Sequence, residues 1–272
     1  MAINDVTLSG GMRNNLVNLQ MVSKLQARTT ERLSTGKKVN SAIDDPSAYF
    51  AAQNSMNRAN DLATRKDGMG EAIQTVKAAL QGIDGITNLI QQAKGLAASA
   101  RSANTADRAE LAGQFDALRG QIDQLALDAG YKGTNFLKLA SSLKVDFNES
   151  GTSSLTITGF DGSTTGMGVA AATNAWVADT DIDAAVANMD TALSTLRVNA
   201  STLSSNNGVV TLRQHFTTEM INTLTGGADQ LTAADTNEEG ANMLALQTRQ
   251  QLGIVALQLS SQAQSSVMRL FG

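Results

Sequence analysis

The stretch Ala72–Ala97, AIQTVKAALQGIDGITNLIQQAKGLA, decides the fold. Ile73, Val76, Leu80, Ile83, Ile86, Ile90, Ala93 and Ala97 fall at steps of three and four. That is the period of one helix face, not the period of two that a strand would show. Upstream, Asp44-Asp45-Pro46 supplies a start signal. An Asp side chain caps free N–H groups, and Pro in the first turn gives up an N–H that would lack a partner anyway. Pro46 is the only proline in 272 residues, so no other breaks the helix downstream. Gly68, Gly70, Gly82, Gly85 and Gly95 interrupt the pattern. Each weakens a helix by roughly 1 kcal/mol relative to Ala, which points to close backbone approach or plasticity unless they mark breaks.

Further along, Ser102-Ala103-Asn104-Thr105 reads as a turn and cap. Leu111, Phe115, Leu118, Ile122 and Leu125 then form a heptad-like stripe, which implies side-by-side packing on another helix. Gly130-Tyr131-Lys132-Gly133-Thr134-Asn135 ends it. Leu143, Val145 and Phe147 alternate, as do Leu155 and Ile157, around Asn148-Glu149-Ser150-Gly151-Thr152, the pattern of a β-hairpin. Residues 159–178 are rich in Gly, Ser, Thr and Ala and read as irregular surface. Heptads return at Val186, Met189, Leu193, Leu196, Ala200 and Leu203. Asn206-Asn207-Gly208 carries a turn signal, yet Leu212, Phe216 and Met220 resume the stripe, and the reading here is a continuous helix. Gly226–Ala234 reads as irregular, and Thr236-Asn237-Glu238-Glu239 has the form of a capping box that opens the last helix.

Both ends of the chain carry apolar stripes. At one end they are Leu8, Met12, Leu16, Leu19, Val22 and Leu25; at the other, Leu252, Val255, Leu259, Ala263, Val267 and Leu270. The first lies on a helix expected from about Gly11 to Leu33, closed by Ser34-Thr35-Gly36. Such stripes suggest that the two ends pair. One helix pair leaves much apolar surface uncovered, and such surface marks an interface. The expected fold is mainly α: a long-helix, coiled-coil-like bundle made of a terminal helix pair and a helical core, with one small β-hairpin excursion. The expected divisions are 1–44, 45–226 with the hairpin and surface loop at about 140–178, and 227–272. Helices within 46–129 would pair with 180–225, and segments 34–44 and 227–235 would cross at one level as a hinge. The sequence thus reads as a subunit built to polymerise through its termini.

No catalytic constellation is visible. With no Cys, thiolate chemistry and disulfides are excluded. His215 is the only histidine, has no partners at metal-ligand spacing, and reads as a seam or surface residue. Gly166-Met167-Gly168 lacks the rest of a dinucleotide loop. Asp179, Asp181 and Asp183 alternate but lack the spaced Gly and distal Glu of a calcium loop. Asp44-Asp45 is explained by capping, and Lys37-Lys38 is too short for a nucleic-acid patch. Asn148-Glu-Ser150 and Asn199-Ala-Ser201 match an N-glycosylation triplet of little specificity. No enzyme, cofactor or metal is expected. The net charge of −4 gives no basic footprint for nucleic acid. The first residues lack a cationic, then apolar, secretory signal, and no run reaches the length of a membrane span.

Several segments resemble bacterial flagellin, the filament subunit. Glu31-Arg-Leu-Ser-Thr-Gly-Lys-Lys-Val-Asn-Ser-Ala-Ile-Asp-Asp45 is similar to the family's most specific stretch. Asn57-Arg-Ala59, Gly130-Tyr-Lys-Gly-Thr-Asn-Phe-Leu137 and the ending Gln262-Ala-Gln-Ser-Ser-Val-Met-Arg-Leu-Phe-Gly272 resemble later landmarks. Together they cover roughly residues 1–140 and 180–272. The resemblance implies a subunit of an extracellular, hollow helical filament for motility. It would be exported unfolded through the flagellar type III apparatus without a cleaved signal peptide. An export chaperone would bind its C-terminal region, and it would assemble under a cap next to hook-associated proteins. The terminal helices would form an inner layer (D0) and the 45–226 core the next (D1), with no large outer domains. The twelve stripe residues named above would be the subunit interface. A hook–filament junction protein is the nearest alternative, since Asp44-Asp45-Pro46-Ser47-Ala48 leans that way; an intracellular coiled-coil scaffold is a distant one. The segment that in strongly immunostimulatory flagellins meets a vertebrate Toll-like receptor corresponds to Ile90–Ser99. There Gln92 stands in the place of a contact arginine, so Gln91, Gln92 and Leu96 are expected to give weak recognition. Ser153, Ser154, Ser163, Thr164 and Thr165 are the candidate O-glycosylation positions.

Overall fold

A computed structural model describes residues 10–271, and the side chains of all of these except 267, 268, 270 and 271. Helix α1 spans Gly10–Thr35, α2 Pro46–Ala100, α3 Thr105–Asp128, α4 Asp179–Thr232 and α5 Thr236–Phe271. Strands β1 (Ser142–Asp146) and β2 (Ser154–Thr158) form an antiparallel hairpin in which Val145 faces Leu155. The chain divides into two compact units: Met1–Asn57 with Leu224–Gly272, and Arg58–Thr223. These packing boundaries lie 13 residues after and 3 residues before the sequence divisions at 44/45 and 226/227.

In the Arg58–Thr223 unit, α4 runs antiparallel to α2. Lys94 pairs with Asp190 at 2.5 Å, Arg101 pairs with Asp183, and Gln214 donates to the Lys66 carbonyl at 3.4 Å. The α4 seam is Ile182, Ala185, Met189, Ala192, Leu196, Leu203, Val210 and Thr217, all buried at heptad spacing. Leu203 and Val210 stay in phase, so the helix passes through Asn207-Gly208 without a turn. Leu212 and Phe216, expected to continue the core stripe, are instead 71% and 56% exposed. They sit off the seam, whose places are taken by Val210, Gln214 and Thr217; an apolar-only pattern cannot register on polar seam residues. On the other side of α2, α3 comes close at two glycines. A Cβ on Gly82 would lie 2.5 Å from Ala129 Cβ, and one on Gly85 would lie 2.7 Å from Leu125 Cδ2. Gly68 and Gly95 face open space, so close approach explains only part of the glycine pattern.

Local chemistry sets the ends of these elements. Asp45 Oδ1 accepts from the Ala48 amide at 3.0 Å, which makes it the cap ahead of Pro46. Asn104 caps α3 by accepting from Asp107 N at 3.0 Å. Asn135 closes its other end by donating to the carbonyls of Ala126 and Leu127 at 2.8 and 3.0 Å. The capping box expected at Thr236 is corrected: Asp235 is the cap, accepting from the amides of Asn237 and Glu238. Glu239 is then free to pair elsewhere. The irregular segment expected from Gly226 is also corrected, because α4 continues to Thr232 and leaves only 233–235 between the helices.

The segment 159–178 is irregular, but it is a strap and not simply surface. Met167, Val169 and Trp176 are buried, and polar residues of α3 hold its backbone. Asp123 accepts from the amide and hydroxyl of Thr164, Arg119 donates to the Val169 carbonyl at 2.9 Å, and Asp116 accepts from the Ala172 amide at 3.1 Å. At the hairpin tip, Arg58 donates to the Glu149 carboxylate at 2.5 Å and Arg65 to its carbonyl. The Glu149 carboxyl is held below the usual range, first by its own backbone amide and then by Arg58.

Candidate assembly interface

The terminal unit is built around an antiparallel α1/α5 pair. Arg32 meets Glu239 at 2.8 Å near one end, and Leu19 packs on Gly253 further along. Opposed residues therefore sum to nearly the same number along the pair, the signature of constant antiparallel register. The α1 residues turned to the seam are Met12, Asn15, Leu19, Val22, Gln26, Thr29 and Leu33, all buried or half-buried. Those of α5 are Glu239, Met243, Leu246, Gln250, Gly253, Leu257, Ser260 and Gln264. Both sets step by three and four, a heptad seam. It is laced with amides, hydroxyls and one ion pair, and only Thr29, Glu239 and Leu246 among its members are fully buried.

The pairing of the two ends agrees with the sequence reading, but the stripes that pair are different. On α1, Met12, Leu19 and Val22 join the seam, whereas Leu16 and Leu25 lie on its flanks, 43% and 40% exposed. On α5, Leu252, Val255 and Leu259 are 64%, 59% and 68% exposed, and Ala263 is exposed as well. At 3.6 residues per turn, Val255 and Leu259 sit on the face opposite the seam. Leu8 lies outside the described residues, as do the side chains of Val267 and Leu270. The correction has a simple cause. The seam uses Gln250, Gly253 and Ser260, so the most apolar face of α5 is its back.

Sequence reasoning missed further exposed apolar residues of this unit: Val17 and Met21 behind α1, Leu244 and Ile254 on α5, and Ile43 and Phe50 near the start of α2. Val17 and Met21 stand four apart, a signal that was legible as a second stripe. A helix with apolar residues both on its seam and behind it has the pattern of a buried element rather than a surface one.

Between α1 and α2 the chain is pinned by backbone bonds. Ala234 N donates to the Gly36 carbonyl at 2.9 Å, and Lys38 N donates to the Thr232 carbonyl at 2.7 Å. Segment 34–44 therefore meets residues 232–234, the part of the expected 227–235 segment that lies at and beyond the end of α4, and Gly36 adopts φ +66°, where other residues are strained. Asp44 ties the loop by accepting from the Ser41 hydroxyl and amide and from Asn40 N; these bonds, the Ser41 hydroxyl foremost, hold its carboxyl below the usual range.

The remaining sequence candidates fall elsewhere. Gln91 and Gln92 are exposed on α2 and Leu96 is half-buried. Gln92 and Leu96 line an open groove with Gln114, Ala117, Leu118 and Gln121 of α3. Ser154 and Thr165 are exposed and Ser153 and Ser163 are half-buried. Thr164 is corrected as a modification candidate: it is 1% exposed, with its hydroxyl on Asp123. His215 is exposed. Among the described residues no group of three His, Cys, Asp or Glu could hold a metal, and no helix is long and apolar enough to cross a membrane.

Comparison with known sequences points one way. The family model described as the bacterial flagellin N-terminal helical region matches residues 3–141. The chain is similar to flagellin FljM of Caulobacter vibrioides, 31% identical over 275 residues and covering 100% of both chains. It is 27% identical to a flagellin of Brucella melitensis biotype 1, covering 94% of this chain and 95% of that one. Among solved structures, the crystal structure of Bacillus cereus flagellin matches 55% of this chain and 88% of that one at 16% identity and a TM-score of 0.49.

Proposed function

We propose, from the premise that this chain belongs to the bacterial flagellin family, that the backs of α1 and α5 are its polymerisation surfaces. The chain is a structural subunit of the flagellar filament, an extracellular homopolymer that serves motility, and it is not an enzyme. The named relatives are flagellins, so the hook–filament junction alternative has no better support.

The observation that carries the proposal is Leu259 at 68% exposed on the face of α5 opposite its intramolecular seam, with Val255 beside it at 59%. Apolar side chains in such a row cost free energy in water, about 25 cal/mol per Å², until another surface covers them. About half of the seam's side chains are polar or small, and the apolar row behind α5 takes no part in it, so neighbouring subunits supply the missing contact. On this reading the twelve stripe residues act in two groups. Met12, Leu19 and Val22 join the ends of one chain, and Leu252, Val255, Leu259 and Ala263 join different chains, with Leu16 and Leu25 on the edge between. Leu8, Val267 and Leu270 extend the same reading beyond the described side chains. The inner-layer and outer-layer division at 44/45 and 226/227 belongs to the same proposal.

The family also suggests the route. The chain leaves the cell unfolded through the flagellar export apparatus. An export chaperone covers its C-terminal helix, and the subunit is added beneath a cap beyond the hook-associated proteins. A helix pair this exposed gains order on assembly. Electron microscopy and sedimentation of the purified chain after seeding test the function: long filaments are expected, and a chain that stays monomeric with seeds present would refute it. Far-UV circular dichroism tests the ordering, with more helix per residue expected in polymer than in monomer.

A further inference from the structure

The strap of the Arg58–Thr223 unit ends in a turn that the backbone disfavours. Asn174, Ala175 and Trp176 have φ of +47°, +48° and +57° in succession, and none of them is glycine. For an L-residue this left-handed region brings Cβ against the following carbonyl, and three in a row is a left-handed turn, which ordinary residues avoid. The turn has one evident product. It drives Trp176 inward until it is 0% exposed and 5.0 Å from the Phe115 ring. The indole arrives with its Nε1 donor buried and without a hydrogen-bond partner, a second cost at the same residue.

What holds the turn shut is Arg108 of α3. Its guanidinium donates to the carbonyls of Val177 at 3.1 Å, Arg101 at 3.1 Å and Trp176 at 3.5 Å, and pairs with Asp179 at 2.8 Å. One side chain thus fastens the end of α2, the turn and the start of α4. Ala175 itself is exposed, so its strain is offset by no packing of its own.

We propose that Thr173–Trp176 is a strained latch, with Trp176 as its bolt and Arg108 as its catch, so that the α3 side of the core opens there before the long helices melt. Such a latch gives the core a defined first point of unfolding. Strain and an orphaned donor lower the cost of release, and withdrawing the indole leaves Phe115 uncovered.

The chain contains a single tryptophan, so emission excited beyond the absorption of Tyr49 and Tyr131 reports this turn. The experiment is urea titration of the full-length monomer, followed by Trp emission with acrylamide quenching and, in parallel, by far-UV circular dichroism. In the wild type the emission should shift red, and quenching should rise, at lower urea than the loss of helix. Ala175→Gly removes the Cβ that the turn opposes; the relief exceeds the added backbone freedom, and the closed latch should gain about fivefold over the open one. The fluorescence transition should then move up towards the helix transition. Arg108→Gln should move it down and widen the gap. Asn174→Gly, at a second exposed position, should act like Ala175→Gly but less, because Asn tolerates the left-handed region better. Coincident fluorescence and helix transitions in the wild type would overturn the proposal. So would an Ala175→Gly variant whose fluorescence transition stays put or falls.

Discussion

Leu259→Asp separates the intramolecular role of α5 from the intermolecular one. In the single chain Leu259 is 68% exposed and opposite the seam, so the change should alter monomer stability by no more than about 0.5 kcal/mol. In a filament it has two effects. It removes an apolar contact worth about 1–2 kcal/mol, scaled from full burial of a Leu side chain. It also places an unpaired carboxylate in an apolar interface, at a cost of roughly 2 kcal/mol or more even after partial relaxation. The sum, about 3–4 kcal/mol, corresponds to a rise of roughly two to three orders of magnitude in the subunit concentration needed for growth. The assay is seeded elongation over a concentration series, read by sedimentation and electron microscopy, with monomer circular dichroism as the control. Leu246→Asp makes the comparison: Leu246 is 7% exposed within the seam, so this change should disturb the α1/α5 pair inside one chain. If Leu259→Asp elongates at the wild-type concentration, Leu259 faces solvent or the channel in the filament, and the back of α5 is not the contact.

Four further outcomes follow from the geometry. Glu239→Gln leaves Arg32, 17% exposed, without its charge partner, and should weaken the terminal pair by about 3 kcal/mol, read as faster hydrogen exchange in α1 and α5. A short tag after Ser150, at the exposed hairpin tip, should leave motility intact and be reached by antibody on whole filaments. The same tag after Gly162, where a Cβ would already lie 3.1 Å from Leu137, should disrupt the core. With acid, the depressed carboxyls of Asp44, Glu149 and Glu71, the last held down by the Lys132 ammonium that donates to it at 2.8 Å, lose their contribution: it is complete above their ordinary values of 3.8 to 4.5 and disappears as pH falls through the lower folded values. The raised Lys132, paired with Glu71, acts in the opposite sense; its contribution is present below 10.5 and is lost above its folded value, so a pH melt should show a broad neutral plateau. Gln92→Arg should raise the response of a receptor reporter to depolymerised protein, because it places a planar five-donor cation on an exposed face of α2; an unchanged response would refute the expectation that Gln92 weakens recognition.

The sequence by itself determined the helices, the starts of α2 and α3, and the hairpin. Asp45-Pro46 and Asn104 are local signals whose hydrogen bonds close within three residues, so no distant part of the chain is needed to read them. The buried face of α2 from Ile73 to Ala97 was legible because, Thr75 apart, its buried side chains are apolar. Where the seam turns polar, periodicity misled. Gln214 and Thr217 displaced Leu212 and Phe216 on α4, and Gln250, Gly253 and Ser260 displaced Leu252, Val255 and Leu259 on α5. Only the tertiary structure could decide which of two faces pairs, because that choice depends on the partner helix: Leu19 needs the space over Gly253, and Arg32 needs Glu239. The strap was beyond reach for the same reason. Its composition is that of a loose loop, and what orders it is a row of α3 side chains, Arg108, Asp116, Arg119 and Asp123, some forty to seventy residues away in sequence. Local sequence sets the backbone's period, whereas burial is a property of pairs of surfaces, and a single surface does not contain it.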